Sequence, residues 1–252
     1  MSEAACDLLC ICPHTDDAEI ALGGTLRALA DRGRAVWVCD LTRGELASNA
    51  TPDERWEEAG RASAELGLAG RLQLSLPDGF LAATDRAQLE AVVWVLRRLR
   101  PRWVLTAPEA IRHPDHLATP ALVRRAAFLS RLQTLTVTAP ALRWWPEAPA
   151  GEAAATWVPE VVGGTCAQHE RPDLYFDVSA VWPRKLAALD CYASQFRRRE
   201  GRAPTAINDP DFLAWLDDRA RQWGREAGVE RAEAVRLEAR PVAADLPPGR
   251  WA

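Results

Sequence analysis

Short apolar runs at residues 7–12, 35–41, 71–76 and 102–106 take turns with segments of helical period at 18–32, 51–66, 85–100 and 117–132. Residues 7–12 (DLLCIC) are almost wholly apolar, as in a strand covered on both faces. Leu89, Val92, Val93, Leu96 and Leu99 fall on one face of a helix. Thr51, Pro52 and Glu54 make a capping box with proline at the first helical position, and Gly33 closes the first helix. Strand and helix alternating in this way predict an α/β fold: a Rossmann-like, mostly parallel sheet with helices on both faces. The pattern weakens after Thr134. Strands are expected at 135–138, 142–145, 174–178 and 235–240, helices at 180–196 and 211–227, and a solvated basic loop at 197–202. With no repeat and no linker, a single domain is expected over 1–242, followed by a loose tail at 243–252.

Composition narrows the function classes. The chain has 252 residues, 48% hydrophobic and 26% charged, which excludes disorder and allows a sizeable core. A net charge of −4 gives no footprint for nucleic acid. The longest apolar runs fall far short of the roughly 20 residues of a membrane helix. Residues 1–7 carry acidic and no basic side chains, unlike a secretory leader. The six cysteines include no C-x-x-C pair and are expected as small buried hydrophobes in a reducing cytoplasm. Lys185 is the only lysine among 31 basic residues, a coding bias.

Chemistry concentrates after two of the expected parallel strands. His14, Asp16 and Asp17 lie in Pro-His-Thr-Asp-Asp at 13–17, and His113, Asp115 and His116 lie in Arg-His-Pro-Asp-His at 112–116. In open α/β sheets ligands bind outside the carboxyl ends of the strands, so the two clusters are expected to share a site. Zinc takes imidazole nitrogen and carboxylate oxygen, and a catalytic site uses three protein ligands plus an open position. The first cluster offers one imidazole and one carboxylate, and one histidine of the second completes the set. The remaining aspartate is then a general base beside the metal. The remaining histidine faces substrate, its ring fixed by Asp115. Singly these residues have plainer readings: Asp16 as a helix N-cap, Asp17 as a partner of the helix dipole, and His169 as a surface or core hydrogen bonder. A magnesium-binding receiver-like module would leave 112–116 without a purpose. A dinucleotide-binding protein would need G-x-G-x-x-G after the first strand, whereas Gly23 and Gly24 fall inside a helix.

Residues 13–26 (PHTDDAEIALGGTL) resemble the opening signature of the PIG-L/LmbE zinc-dependent N-deacetylases, H-P-D-D-x-E-x-x-x-G-G. The resemblance continues through 40–45, 51–59, 75–79, 112–116, 176–196 and 228–234. It is greatest to the bacillithiol-biosynthesis deacetylases, which act on N-acetylglucosaminyl malate. It implies one zinc per subunit held by His14, Asp17 and His116. It implies Asp16 as general base, His113 as the group that stabilises the oxyanion or protonates the amine, and Asp115 as its orienting partner. Arg55, Arg112 and Tyr192 are implied in substrate binding. An amino-sugar glycoside is the implied partner; a mycothiol-type glycoside, a chitin fragment or an antibiotic precursor is the alternative. A cytoplasmic homo-oligomer, such as a hexamer, is the implied state, with neither nucleic acid nor membrane as partner. Thr15 departs from the family's proline at that position, and without a ring to fix φ a looser ligand loop is expected.

Overall fold

The computed structural model describes residues 6–107, 113–166, 170–198, 200–201 and 203–238. Arg112, His169 and the tail at 243–252 lie outside the described residues. In chain order the elements are β1 (Cys6–Cys12), α1 (Asp17–Ala30), β2 (Val36–Thr42), α2 (Pro52–Leu66), β3 (Gly70–Leu76), α3 (Arg86–Leu99), β4 (Pro101–Thr106) and α4 (Pro114–Leu129). There follow β5 (Leu142–Trp145), β6 (Val161–Thr165), β7 (Leu174–Asp177), a short 3₁₀ turn, α5 (Trp182–Asp190), α6 (Ala193–Phe196), α7 (Phe212–Ala227) and β8 (Ala232–Leu237). All eight strands form one sheet in the order β5-β3-β2-β1-β4-β6-β8-β7. The strands from β3 to β6 in that order run parallel. β5 and β8 join as antiparallel partners, and β7 pairs with β8.

Alternation along β1 shows why the sheet is covered twice. Leu9 and Ile11 pack with α3 and α4, while Leu8, Cys10 and Cys12 pack with α1 and α2. Five of the six cysteines are buried and all are free, as expected for small core hydrophobes. The Thr51–Glu54 capping box forms, and Gly67 ends α2 in the left-handed conformation. No helix among the described residues is long and apolar enough to cross a membrane.

The paired glycines of α1 have a packing reason. A Cβ on Gly24 would sit 2.7 Å from the Val178 side chain, and one on Gly23 would sit 3.2 Å from Lys185. Glu233 on β8 accepts from the Gly24 and Thr25 amides at 3.0 and 2.7 Å and from Lys185 Nζ at 2.5 Å. That buried pair ties α1 to α5 and β8. Gly24→Ala is expected to cost about 1–3 kcal/mol through overpacking, read as a lower denaturant midpoint. An unchanged midpoint would remove close approach as the reason for the glycine.

The last strand begins three residues earlier than expected, at Ala232, and three other regions after Thr134 differ more. No strand forms at 135–138, because the Leu132 and Leu135 carbonyls accept from Arg97 rather than from a ladder. β6 has no counterpart among the expected strands because Gly163 and Gly164 interrupt its pattern. A Cβ on Gly163 would lie 2.4 Å from the Arg236 carbonyl of the neighbouring strand, so the ladder itself demands glycine. The helix expected over 180–196 breaks at Cys191 and Tyr192, which turns Tyr192 inward and lets the Ser194 amide donate to Glu58 at 2.8 Å.

Candidate metal centre

β1 lies between β2 and β4, with Leu9 opposite Trp37 on one side and Val104 on the other. The chain runs outward from β1 to β2 and β3, then returns to place β4 on the other side. Such a reversal opens a crevice at the carboxyl ends of the two central strands. Residues 13–17 leave β1 there. His113 is the N-cap of α4 and Pro114 its first residue, so the helix starts three residues before its expected position at Leu117. His116 is therefore held on a helical turn rather than on a loop.

The two segments meet. Asp17 Oδ2 lies 3.2 Å from His14 Nδ1 and accepts the His14 amide at 2.9 Å, while Oδ1 lies 3.2 Å from His116 Nε2. One donor atom from each of His14, Asp17 and His116 can be chosen so that all lie within 4.8 Å of one another. The His14 ring centroid is 4.6 Å from that of His113 and 5.5 Å from that of His116. Two nitrogens and a carboxylate are a donor set suited to zinc. On the far edge of the ring, His14 Nε2 lies 3.2 Å from Asp78 Oδ1 and 3.4 Å from Asp115 Oδ2. A carboxylate on the second nitrogen is how ligating histidines are held in orientation. The residues thus fit a divalent cation.

Charges here are mutually dependent. Burial alone would push His14 down, but its bonds to Asp115, Asp17 and Asp78 hold it well above its ordinary value. Burial opposes ionisation of Asp17, yet His116 and His14 hold it well below the usual carboxylate range. Asp78, despite partial burial, falls to about 2 through His14 and the Leu46 amide. His113 is lowered, first by burial and then by the charge on His14.

Asp16 occupies the N-cap position of α1 but caps nothing. Its Oδ1 accepts from Arg55 Nη2 at 3.0 Å, and among the described residues no hydrogen bond engages Oδ2. Arg55 is buried and lines the cavity, with its Nη2 committed to Asp16. Asp115 contacts His113 differently from expectation. Its carboxylate accepts the Gly79 and Leu81 amides at 2.8 and 3.0 Å, and it is its backbone N–H that donates to His113 Nδ1, at 3.3 Å. That bond leaves the neutral ring's proton on Nε2.

The expectation of substrate contact at Tyr192 is corrected. Its side chain is fully buried, outside the cavity lining, and its hydroxyl donates to the Thr15 carbonyl. Arg71, also fully buried, donates to the same carbonyl and to Asp40 and Glu19. Thr15 is thus tied down from below by two side chains, not stiffened by a ring. Asp78 lies in the segment 75–79 that carries the resemblance but is given no role there; the fold brings it to His14.

The cavity over this cluster has a volume of about 510 Å³. His14, Asp16, Asp17, His113 and His116 line it together with Ile20, Leu46, Gln195, Phe212, Trp215 and Arg219.

A family model described as GlcNAc-PI de-N-acetylase, PIG-L, matches residues 9–127. The diacetylchitobiose deacetylase of Thermococcus kodakarensis is 30% identical over 241 residues, covering 91% of this chain and 82% of that protein. The chain belongs to the PIG-L family. A probable N-acetyl-α-D-glucosaminyl L-malate deacetylase 2 of Bacillus cereus is 27% identical, covering 83% of this chain and 93% of that protein. The 4-oxalmesaconate hydratase of Pseudomonas putida is 26% identical, covering 74% and 73%. A solved structure, a conserved protein of Thermus thermophilus, is 34% identical with a TM-score of 0.77, covering 98% of this chain and 100% of that one. The PIG-L match holds every residue of the candidate cluster, His14, Asp17 and His116, but stops before Gln195, Phe212, Trp215 and Arg219. One cavity therefore joins a family-matched floor to walls contributed by the C-terminal half.

Proposed function

We propose that the protein is a zinc-dependent hydrolase that removes the acetyl group from an N-acetylglucosamine glycoside. The observation that carries this reading is the convergence of His14, Asp17 and His116 beside an aspartate that is not itself needed as a ligand. The PIG-L membership and the deacetylase relatives support it. When bound by those three residues, the cation supplies Lewis acidity, acidifying water and polarising a carbonyl oxygen.

Asp16 accepts the proton of the attacking water at Oδ2. Arg55, bonded to Oδ1, fixes the direction of that carboxylate. His113 carries its proton on Nε2 and donates to the oxygen on which charge develops as the acetyl carbonyl is attacked. The departing nitrogen takes up a proton from Asp16 or His113. Asp78 and Asp115 hold His14, and Asp115 also holds the turn at Gly79–Leu81 against the site. A cavity of this volume takes a glycoside of one or two rings. N-Acetylglucosaminyl malate is the first candidate substrate, with chitin fragments and inositol glycosides behind it.

The test is acetate release by the zinc-loaded full chain from N-acetylglucosaminyl malate, N,N′-diacetylchitobiose and an N-acetylglucosaminyl inositol. Equal amounts of acetate and free amine from at least one are expected. No acetate from any of them, with water added to 4-oxalmesaconate instead, would replace this reading with a hydratase.

A further inference from the structure

Arg219, on α7, is 9% exposed and part of the cavity lining. Among the described residues its guanidinium has no hydrogen bond and no ion pair, and its Nε is sealed from solvent without a partner. What it touches is aromatic. The guanidinium carbon lies 4.7 Å from the Trp215 ring centroid and 5.1 Å from that of Trp223. Burial pulls its pKa down to about 10.

The carboxylate whose charge reaches Arg219 is Glu233, and that group is already engaged. It accepts from Lys185 Nζ at 2.5 Å, from the Gly24 and Thr25 amides, and from Thr25 Oγ1 at 2.6 Å. Glu233 is thus committed to Lys185 and makes no ion pair with Arg219. A desolvated guanidinium without an oxyanion is costly, and the described fold offers it none. Two other buried arginines, Arg55 in the cavity lining and Arg71 beneath it, differ in holding carboxylates, although the Arg55 Nε is likewise without a partner. Arg55 is bonded to Asp16, and Arg71 to Asp40 and Glu19. Contact with two tryptophan rings holds the Arg219 guanidinium in place, and its fork matches the paired oxygens of a carboxylate or phosphate.

We propose that Arg219 anchors an anion subsite of this cavity, binding a carboxylate or phosphate on the aglycone of the sugar. This rests on the deacetylase reading for the sugar end of the substrate and adds the charge of the other end. It moves recognition of the acid away from Arg55, whose Nη2 already holds Asp16, to a residue that the family match does not reach.

The experiment uses zinc-loaded full chain with Arg219→Met, which keeps an apolar stem between the tryptophans, and Arg219→Lys, which keeps charge without the fork. KM and kcat are measured on methyl, malyl and glycerophosphoryl N-acetylglucosaminides. Arg219→Met is expected to raise KM about tenfold to a hundredfold more for an acidic glycoside than for the methyl glycoside, the worth of lost charge-assisted hydrogen bonds. Arg219→Lys should fall between. The acidic glycoside with the larger loss identifies the anion as carboxylate or phosphate. Equal changes on neutral and acidic glycosides would overturn the subsite. Calorimetry with the corresponding amine products separates the two readings. If no glycoside releases acetate, the deacetylase reading fails while a selective loss of acidic-amine binding in Arg219→Met still supports the subsite. If acetate is released and that binding is unchanged, the subsite fails alone. Thermal unfolding guards against a merely structural role: removing an uncompensated buried cation should leave Tm level or raised, and a large fall in Tm would count against the proposal.

Discussion

Asp16→Asn is expected to lower kcat for acetate release by about 10²–10⁴-fold with its metal retained, whereas Asp17→Asn is expected to lose the metal. Adjacent residues of one type are divided by geometry. Asp17 opens α1 with its carboxylate between two imidazoles, 3.2 Å from a nitrogen of each. An asparagine there removes the negative charge that balances a divalent ion and leaves a single carbonyl oxygen. Asp16 points elsewhere, to Arg55 and the cavity. Its asparagine keeps an acceptor for Arg55 but cannot take a proton from water. Metal content after dialysis and kcat on the same samples check both statements. Chelation should abolish turnover of the parent protein, and zinc should restore it. Full turnover by Asp16→Asn would remove the general base. Stoichiometric metal in Asp17→Asn would remove the ligand assignment, and with it the division of labour.

Much of this was legible in the chain because local signals agreed with one another. From β1 to α3 each element has a periodic face and a stop signal, and the observed bounds fall within two residues of the expected ones. The meeting of the two polar segments was legible because they follow β1 and β4, where topology alone brings them together. What was not legible depends on contacts distant in sequence. The inward turn of Tyr192 is set by the Thr15 carbonyl, 177 residues away. The glycines of β6 look like a loop until Arg236 is placed beside them. Asp78 and Arg219 carry no local mark of their surroundings. The start of α4 is different: Pro114 can be read as a first helical residue, but the apolar pattern beginning at Leu117 draws the boundary too late.

Arg71→Met is expected to cost about 3–5 kcal/mol of stability. For a chain of this size that is a fall in Tm of roughly 10 °C. Arg71 is fully buried on β3 and bonds Asp40 at 2.7 and 2.8 Å and Glu19 at 2.6 Å. Both carboxylates are also fully buried. Replacing only the cation strands two charges in the interior, which costs more than the pair itself contributes. The pH dependence has a definite sign. Burial raises the folded-state pKa of Asp40 and of Glu19, and Arg71 only partly offsets it. Acids with raised folded pKa values bind more protons folded than unfolded, so their contribution to stability falls as pH rises through the folded pKa. Without Arg71 the rise is larger, and the deficit of the variant should be greater at pH 8 than at pH 5. Urea midpoints at the two pH values measure it; a deficit that does not depend on pH would mean that the carboxylates find another cation. The same change unties the Thr15 carbonyl, leaving Tyr192 as its remaining side-chain donor among the described residues. Asp17 follows two residues later, so metal affinity should weaken together with stability. The triad is then a brace for the ligand loop, doing from beneath what a proline at Thr15 would do within the backbone.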